Sequence, residues 1–386
     1  MRIVVGGAVL DPGWRGGETP TALALVAGLR ARGVEVATIE TGRSRADLVA
    51  MGATPLDLDP LALRRYDRRL EALGPDVVLG FYDYDASLCH ATVRRGIPYV
   101  SAVHIHWPVC PIGTNYLEPE GPCRGPGAGK CVSHMGRVPV LTHLGPGEAP
   151  LPAPLALVVY AKFLSRGHLL RRSSALVVPG RWMKPFLEAH GFPNVHVVPN
   201  AIEPSEIPFT EWSGTVKPVL YASGSVREGK GWPDFLQLAR ELGARRTDCR
   251  FRATGVPTDP AVEGVPRLGR EAFLRELQAA YVVAVPALWQ EPFGMIALEA
   301  MCAGRPVVAY ASGGLPEIVE HGRDGLLVPP GDRSALANAV ERLLDDPALA
   351  AEMGRHGRKR AETEFTPGKL IDGYLAVARS VAAERV

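Results

Sequence analysis

Short apolar runs alternate with amphipathic stretches along the chain. Runs at 2–5, 76–80 and 281–285 consist mainly of valine and other apolar residues, which is typical of strands buried on both faces of a parallel sheet. Stretches at 19–32 and 61–73 carry apolar residues at helical spacing and lie between such runs. This alternation predicts an α/β fold with doubly wound parallel sheets.

The pattern restarts after a polar segment at 204–218 that contains three prolines. Prolines among polar residues are typical of a linker or hinge, and a new apolar run begins at Val219. A chain of 386 residues is also long enough for two hydrophobic cores. We therefore predict an N-terminal domain at 1–208 and a C-terminal domain at 209–368.

Composition narrows the class of protein. The chain is 46% hydrophobic and has 43 basic against 41 acidic residues, a formal net charge of +2, so no general attraction to nucleic acid is expected. No apolar run has the length of a membrane span or the features of a secretory leader, which predicts a cytoplasmic location. Six cysteines in a reducing compartment indicate packing, metal binding or catalysis rather than a disulfide framework.

The most informative stretch is 290–301, where two glutamates are eight residues apart. It follows a predicted strand, and in open α/β sheets ligands bind beyond the carboxyl ends of strands. A helix that begins near Phe293 would direct unpaired N–H groups at an anion. Glu299 lies where it could accept hydrogen bonds from a vicinal diol such as a ribose, Glu291 could bind a second polyol, and Gly294 allows close approach of a ligand. The alternative is that both glutamates are solvated surface charges.

Glu291 and Glu299, with Pro292-Phe293-Gly294 between them, resemble the E-x7-E signature of retaining GT-B glycosyltransferases, specifically glycosyltransferase family 4. The resemblance extends over essentially the whole chain. It implies a GT-B fold, in which two Rossmann-like domains enclose a deep cleft and a final helix at 369–386 returns to the first domain.

The resemblance also implies the groups that bind the donor diphosphate. Gly16 and Gly17 match a glycine pair whose backbone N–H groups contact the diphosphate, although a tight turn alone would also explain them. Lys230 matches the family's phosphate-binding lysine. Ser225 stands where the family has an arginine, and we expect Arg227 to replace it, since a guanidinium can bind a diphosphate bidentately. The backbone near Phe293, Gly294, Met295 and Ile296 completes the predicted donor site together with Glu299.

His104 is the candidate for the reacting sugar. It ends a strand predicted at 99–104, and the family has a histidine facing the sugar at the matching position. Ile105 stands where the family commonly has aspartate. A histidine at a strand end is also often a packed polar residue, which is the alternative interpretation.

The implied reaction is transfer of a hexosyl unit from a nucleoside diphosphate sugar, most often a UDP sugar, to an acceptor hydroxyl with retention of configuration. Lys230, His104 and Glu291 are the predicted catalytic residues. Charge on the leaving diphosphate would be stabilised by protein donors, and the D-x-D matches at 57–59 and 83–85 fall outside the predicted donor domain, so no catalytic metal is expected. The acceptor could be a glycan, a lipid or a small metabolite.

Two other functions fit parts of the sequence. A GT-B sugar-nucleotide epimerase would consume a donor without an acceptor. A non-catalytic nucleotide-sugar-binding partner protein would bind a donor without turnover, and Ser225 and Ile105 make it conceivable.

Two further features lie outside the predicted donor site. Cys110, Cys123, Cys131 and His134 have the ligand types and number of a structural zinc site, with free or buried thiols as the alternative. The apolar segment 155–172 ends in basic residues and could be an amphipathic helix at the inner face of a membrane, giving the protein a peripheral location, or a packed helix with a solvated basic end.

Overall fold

The computed structural model describes residues 1–7, 19–40, 58–81, 86–117, 121–138, 150–223 and 227–384. The chain divides into two compact units. The first consists of Met1–Leu117, Cys123–Pro199 and Pro367–Val386, and the second of Glu118–Pro122 and Asn200–Thr366. The C-terminal segment therefore belongs to the unit that contains the N-terminus.

The first unit contains a parallel sheet of six strands within the described residues, in the order β2-β1-β3-β4-β7-β8. Apolar residues fill its central strands, whose residues are buried throughout β3, β4 and β7. The strands in the first half of the chain, including the two-residue β5 and β6, are β1 (Arg2–Gly7), β2 (Glu35–Glu40), β3 (Val77–Phe81), β4 (Tyr99–Ala102), β5 (Tyr116–Leu117), β6 (Gly121–Pro122), β7 (Ala175–Val178) and β8 (Val195–Val197).

Helices cover this sheet, and their ends follow from local sequence. Asp59 caps a helix by accepting a hydrogen bond from the Leu61 N–H at 2.8 Å, and Gly74 ends it with a left-handed backbone at φ 53°. The helices of the first unit are α1 (Thr19–Ala31), α2 (Pro60–Leu73), α3 (Ser87–Arg94), α4 (Ala128–Met135), α5 (Ala153–Leu170), α6 (Met183–Ala189) and, at the end of the chain, α13 (Pro367–Ala383).

The second unit repeats the architecture with a described parallel sheet in the order β11-β10-β9-β12-β13-β14. The strands are β9 (Lys217–Tyr221), β10 (Cys249–Thr254), β11 (Glu263–Val265), β12 (Val282–Val285), β13 (Val307–Tyr310) and β14 (Gly325–Val328). The helices are α7 (Trp232–Gly243), α8 (Arg270–Ala279), α9 (Met295–Cys302), α10 (Leu315–Ile318), α11 (Arg333–Asp345) and α12 (Pro347–Glu364), with 3-10 turns at Pro204–Glu206 and Glu228–Lys230.

The structure confirms the predicted α/β class with two parallel sheets, and it corrects two element ends near the candidate site. The helix predicted near Phe293 begins at Met295, because Gly294 has φ 113° and cannot belong to a right-handed helix. The strand predicted to reach His104 ends at Ala102. His104 instead opens the turn that follows, where the Val109 N–H bonds to the His106 carbonyl at 2.9 Å.

The predicted linker at 204–218 is structured at both ends. Its first residues form a 3-10 turn, and the guanidinium of Arg358 donates hydrogen bonds to the carbonyls of Pro204 at 3.3 Å and Ile207 at 2.5 Å. Strand β9 begins at Lys217, before the predicted end of the linker. These contacts fasten the start of the linker to helix α12 of the second unit. Within the described residues, no helix combines the length and apolarity needed to cross a membrane.

Candidate functional site

Two loops of the second unit meet at the carboxyl ends of adjacent strands β9 and β12. The N–H groups of Leu288 and Trp289 donate to the Gly229 carbonyl at 3.0 and 2.9 Å. Gly231 follows with φ 78°, and a Cβ on it would lie 1.7 Å from the Pro286 carbonyl oxygen. Only glycine allows this approach of the two backbones, which sets Lys230 beside the loop that carries Glu291.

Lys230, Glu291 and Trp289 form the centre of the site. The Lys230 Nζ donates to Glu291 Oε1 at 2.6 Å, and the indole N–H of Trp289 donates to the same oxygen at 2.5 Å. The ammonium also lies 3.7 Å from the centroid of the Trp289 ring, within the range of a cation–π interaction. The structure thus brings together two of the predicted catalytic residues and adds Trp289, which our sequence analysis missed.

A third loop holds the backbone of Glu291. The Gly314 N–H donates to the Glu291 carbonyl at 2.7 Å, and the Ser312 hydroxyl donates to the Trp289 carbonyl at 2.7 Å. A Cβ on Gly313 would lie 2.4 Å from both the backbone N and O of Glu291. The loop after β13 therefore fits against the Glu291 segment only because this position has no side chain.

Helix α9 begins directly after this segment. Its first residues, Met295 and Ile296, lack intrahelical acceptors for their N–H groups because they occupy the first turn, so the helix end can receive an anion. Gly294 is also needed for packing, since a Cβ there would lie 2.8 Å from the Leu315 side chain. Phe293 is buried in the core against the Phe365 ring, so only its backbone remains for a ligand.

Glu299 is buried in helix α9 and forms an ion pair with Arg270 at the start of helix α8. Its side chain is 8% exposed, whereas that of Arg270 is 43% exposed. Burial raises the pKa of the Glu299 carboxyl above its ordinary value, although the charge and hydrogen bond of Arg270 act in the opposite direction. Glu299 is therefore not a solvated surface charge, and a ligand diol would share its carboxylate with Arg270, a second residue that our sequence analysis did not identify.

His104 belongs to the first unit and is buried. Its Nε2 lies 3.4 Å from the Tyr374 hydroxyl, and among the described residues its Nδ1 has no hydrogen-bond partner. Burial lowers the pKa of His104 to about 4, so the imidazole is neutral at physiological pH. With Ser101, Trp107 and Arg166 it lines a cavity of about 50 Å³.

The four candidate metal ligands line one small cavity of about 10 Å³. The Cys123 thiol donates to the Gly125 carbonyl at 3.3 Å, and Cys131 Sγ accepts from the Gly127 N–H at 3.4 Å. Burial raises the thiol pKa of Cys110 and Cys131. No group of three or more His, Cys, Asp or Glu in the described ranges is arranged to hold a metal ion. Cys110, Cys123, Cys131 and His134 therefore share a cavity without forming such a group, and the structural zinc site stays a prediction.

The other predicted diphosphate ligands are Arg227 and the pair Gly16-Gly17. Arg227 precedes the 3-10 turn Glu228–Lys230, and its carbonyl accepts from the Lys230 N–H at 3.1 Å. Gly16, Gly17 and Ser225 lie outside the described residues.

Two family models match successive parts of the chain. The model "Glycosyltransferase Family 4" matches residues 15–206, and "Glycosyl transferases group 1" matches residues 214–360. Together with the two doubly wound units, these matches show a GT-B glycosyltransferase. Within that class, the chain belongs to glycosyltransferase family 4.

Solved structures and a curated relative agree with this assignment. Sucrose-phosphate synthase from Thermosynechococcus elongatus superposes with a TM-score of 0.68 at 19% identity, covering 99% of each chain. HepE from Anabaena, in complex with UDP-glucose, gives a TM-score of 0.64 at 16% identity over 98% of this chain and 100% of that one. These likenesses establish the GT-B fold.

The relative is D-inositol 3-phosphate glycosyltransferase from Streptomyces avermitilis, which is 38% identical over 132 residues. The match covers 34% of this chain and 27% of the relative's own length. The matched part of the chain thus spans about a quarter of this relative.

Proposed function

We propose that the protein is a retaining glycosyltransferase that moves a hexosyl unit from a nucleoside diphosphate sugar to an acceptor hydroxyl without a catalytic metal. The observation that carries this proposal is the contact of Lys230 with Glu291 beside the first turn of helix α9. It gathers a cation, a carboxylate and backbone N–H groups at a sheet edge, as binding of a sugar diphosphate requires. A UDP sugar is the favoured donor, supported by the HepE complex with UDP-glucose.

Each group has a role in this reaction. The Lys230 ammonium and the N–H groups of Met295 and Ile296 would bind the diphosphate and stabilise the charge that grows on it as the glycosidic bond breaks. Arg227 and the backbone of Gly16 and Gly17 are proposed as additional diphosphate ligands. The Glu299 carboxylate would accept hydrogen bonds from the ribose diol, held in orientation by Arg270.

The roles proposed for Glu291 and His104 follow from front-face attack, in which the acceptor hydroxyl attacks the sugar on the face from which the diphosphate leaves. The acceptor hydroxyl would transfer its proton to the departing phosphate oxygen, so no protein nucleophile is required. Glu291 would bind the sugar, and a neutral His104, whose pKa is about 4, would form a hydrogen bond without changing charge. A glycosyl adduct on either side chain that forms and decays fast enough for turnover would contradict this mechanism.

The proposal is tested with the full chain and a panel of nucleotide sugars in the presence of a chelator. Thermal stabilisation by one donor and slow release of nucleoside diphosphate, increased by an acceptor hydroxyl, are expected. Conversion of the donor to an isomeric sugar nucleotide would identify an epimerase. Stabilisation without turnover for any acceptor would favour the non-catalytic binding protein, and no stabilisation by any donor would overturn the donor site itself.

Trp289 supplies a prediction that separates its two contacts. Trp289→Phe keeps a ring beneath the Lys230 ammonium but removes the N–H donor to Glu291, whereas Trp289→Leu removes both. Because a lost hydrogen bond to a charged group costs about 1.5–3 kcal/mol, we expect Trp289→Phe to lower kcat/KM about tenfold or more. Trp289→Leu should lower it further.

The readout is steady-state kinetics over a range of donor concentrations, with Trp212→Phe as the matched control. Trp212 packs edge-on against Tyr281, away from Lys230, and should leave KM for the donor unchanged. If Trp289→Phe had no effect on KM or kcat, the indole N–H would not position Glu291.

The proposed location is the cytoplasm. The acceptor class is open between a glycan, a lipid and a small metabolite, and peripheral contact with a membrane is proposed below on separate observations.

A further inference from the structure

Helices α2, α3 and α5 form one continuous face of the first unit. Arg94 at the end of α3 is paired with Asp67 of α2, and the Cys89 thiol of α3 donates to the Leu169 carbonyl of α5 at 3.7 Å. The pKa of His90 on α3 is lowered first by burial and then by the charges of Arg94 and Arg172. The basic end of α5 therefore lies beside α3.

This face has a charge that the composition of the whole chain conceals. The segments 60–73, 87–95 and 153–172 contain ten basic and two acidic residues, a formal charge of +8, in a chain of net charge +2. The other residues together carry −6. The two acids, Asp67 and Glu71, are paired with Arg94 at the end of α3 and with Arg95 just beyond it. The basic residues of these segments are Arg64, Arg65, Arg68, Arg69, Arg94, Arg95, Lys162, Arg166, Arg171 and Arg172. Arg166 lines the His104 cavity and Arg171 lies over the Phe192 ring, so the four arginines of α2 are the main basic groups of the face.

Three large apolar side chains are exposed on the same helices. Leu61 of α2 is 75% exposed, and Leu157 and Leu164 of α5 are 56% and 52% exposed. Leu157 and Leu164 are two turns apart and share a stripe, beside the stripe of Ala156 and Phe163, which is buried in the first unit. Helix α5 therefore carries exposed apolar side chains in addition to those that pack in the first unit.

We propose that this face, which we call the α2–α3–α5 face, binds the surface of a membrane that contains anionic lipid. Arginines bind lipid phosphates, and exposed leucines among them are stabilised when they are buried at the boundary between the headgroups and the acyl chains. Juxtaposed arginines and exposed leucines favour a lipid surface over nucleic acid, because a nucleic-acid backbone offers the leucines no apolar environment. The inference rests on charge and exposure in the first unit and does not depend on the proposed reaction.

Vesicle co-sedimentation with the full chain tests the proposal. The protein should bind vesicles of phosphatidylcholine mixed with phosphatidylglycerol, should not bind phosphatidylcholine alone, and should be released by added salt. Arg64→Ala and Arg68→Ala should each weaken binding about fivefold, and the double variant about 25-fold, since each basic residue near an anionic surface contributes about 1 kcal/mol, which corresponds to about a fivefold change in affinity. Arg240→Ala with Arg245→Ala, on helix α7 and just beyond it in the second unit, is the charge-matched control.

The leucines are tested by Leu157→Ser with Leu164→Ser. These side chains are exposed, so the fold should persist, and binding to the mixed vesicles should fall about tenfold. Leu23→Ser is the matched control, because Leu23 is 51% exposed but lies on α1, outside the α2–α3–α5 face. Helix α1 packs with α13, and Arg32 just beyond α1 pairs with Asp372.

Three results would overturn the proposal: no binding to the mixed vesicles, equal binding to neutral vesicles, or tighter binding to duplex DNA that the same arginine variants abolish. Donor-dependent thermal stabilisation is measured on every variant. It should match that of the unmodified protein, so a failure of membrane binding is distinguishable from a failure of the proposed reaction.

Discussion

Lys230→Ala is expected to lower kcat/KM for the nucleoside diphosphate sugar by about 100- to 1,000-fold, the usual effect of removing one preorganised donor to a developing anion. Two effects act in the same direction. The variant removes the ammonium proposed to bind the diphosphate. It also deprives the Glu291 carboxylate of the cation that lies 2.6 Å away in the unmodified protein. An unneutralised carboxylate would repel the donor.

The second effect can be isolated by kinetics. Adding Glu291→Gln to Lys230→Ala removes the repulsion, so it should restore part of the donor affinity while kcat stays low. Lys184→Ala is the control, since among the described residues its ion pair is an exposed one with Glu188 at 3.9 Å. A change in kcat/KM of less than about threefold is what the loss of a weak surface contact would cause. Such a result for Lys230→Ala would exclude Lys230 from the donor site.

The sequence identified the members of this pair but not their contact. Lys230 and Glu291 are 61 residues apart, and each is marked only by its own glycine-rich or proline-containing loop. Their contact depends on β9 and β12 being neighbours in the sheet, with Leu220 beside Val283. That adjacency comes from long-range strand order, which local patterns do not specify.

The residues that were missed carry no local signal. Trp289 resembles any aromatic residue near a strand end, and its role appears only when Lys230 lies against its ring. Arg270, at the start of helix α8, is typical of a solvated helix end. The sequence does not show how deeply the Glu299 carboxylate is buried, and only that burial requires a cationic partner.

Burial also explains which strands the hydrophobic pattern predicts and which it does not. The run at 281–285 was recognised because β12 is buried on both faces and consists of Val282, Val283, Ala284 and Val285. Strand β11 was missed because Glu263–Val265 is a short edge strand with one buried residue. A pattern of hydrophobic residues predicts an element only where packing demands that pattern.

Arg270→Ala is expected to destabilise the protein by about 2–3 kcal/mol, somewhat less than the cost of breaking a fully buried ion pair. The reason is that Glu299, 8% exposed, would lose its cation, whereas Arg270 itself is 43% exposed and partly hydrated. Chemical denaturation of the variant and the unmodified protein gives the difference. Arg275→Ala is the matched control, because it breaks an exposed pair with Glu271 on the same helix and should cost well under about 1 kcal/mol.

The loss of stability should depend on pH in a defined direction. Burial already holds the pKa of Glu299 above its ordinary value of 4.5, and removing Arg270 raises that pKa further. A carboxyl whose pKa is raised by folding favours the folded state at low pH, and that contribution is lost as the pH rises through the folded-state pKa. The deficit of Arg270→Ala should therefore be larger at about pH 8 than at about pH 5. Adding Glu299→Gln should remove this pH dependence. An equal deficit at both pH values would mean that Arg270 stabilises the protein through packing or through its 3.8 Å pair with Glu206 rather than through the Glu299 charge.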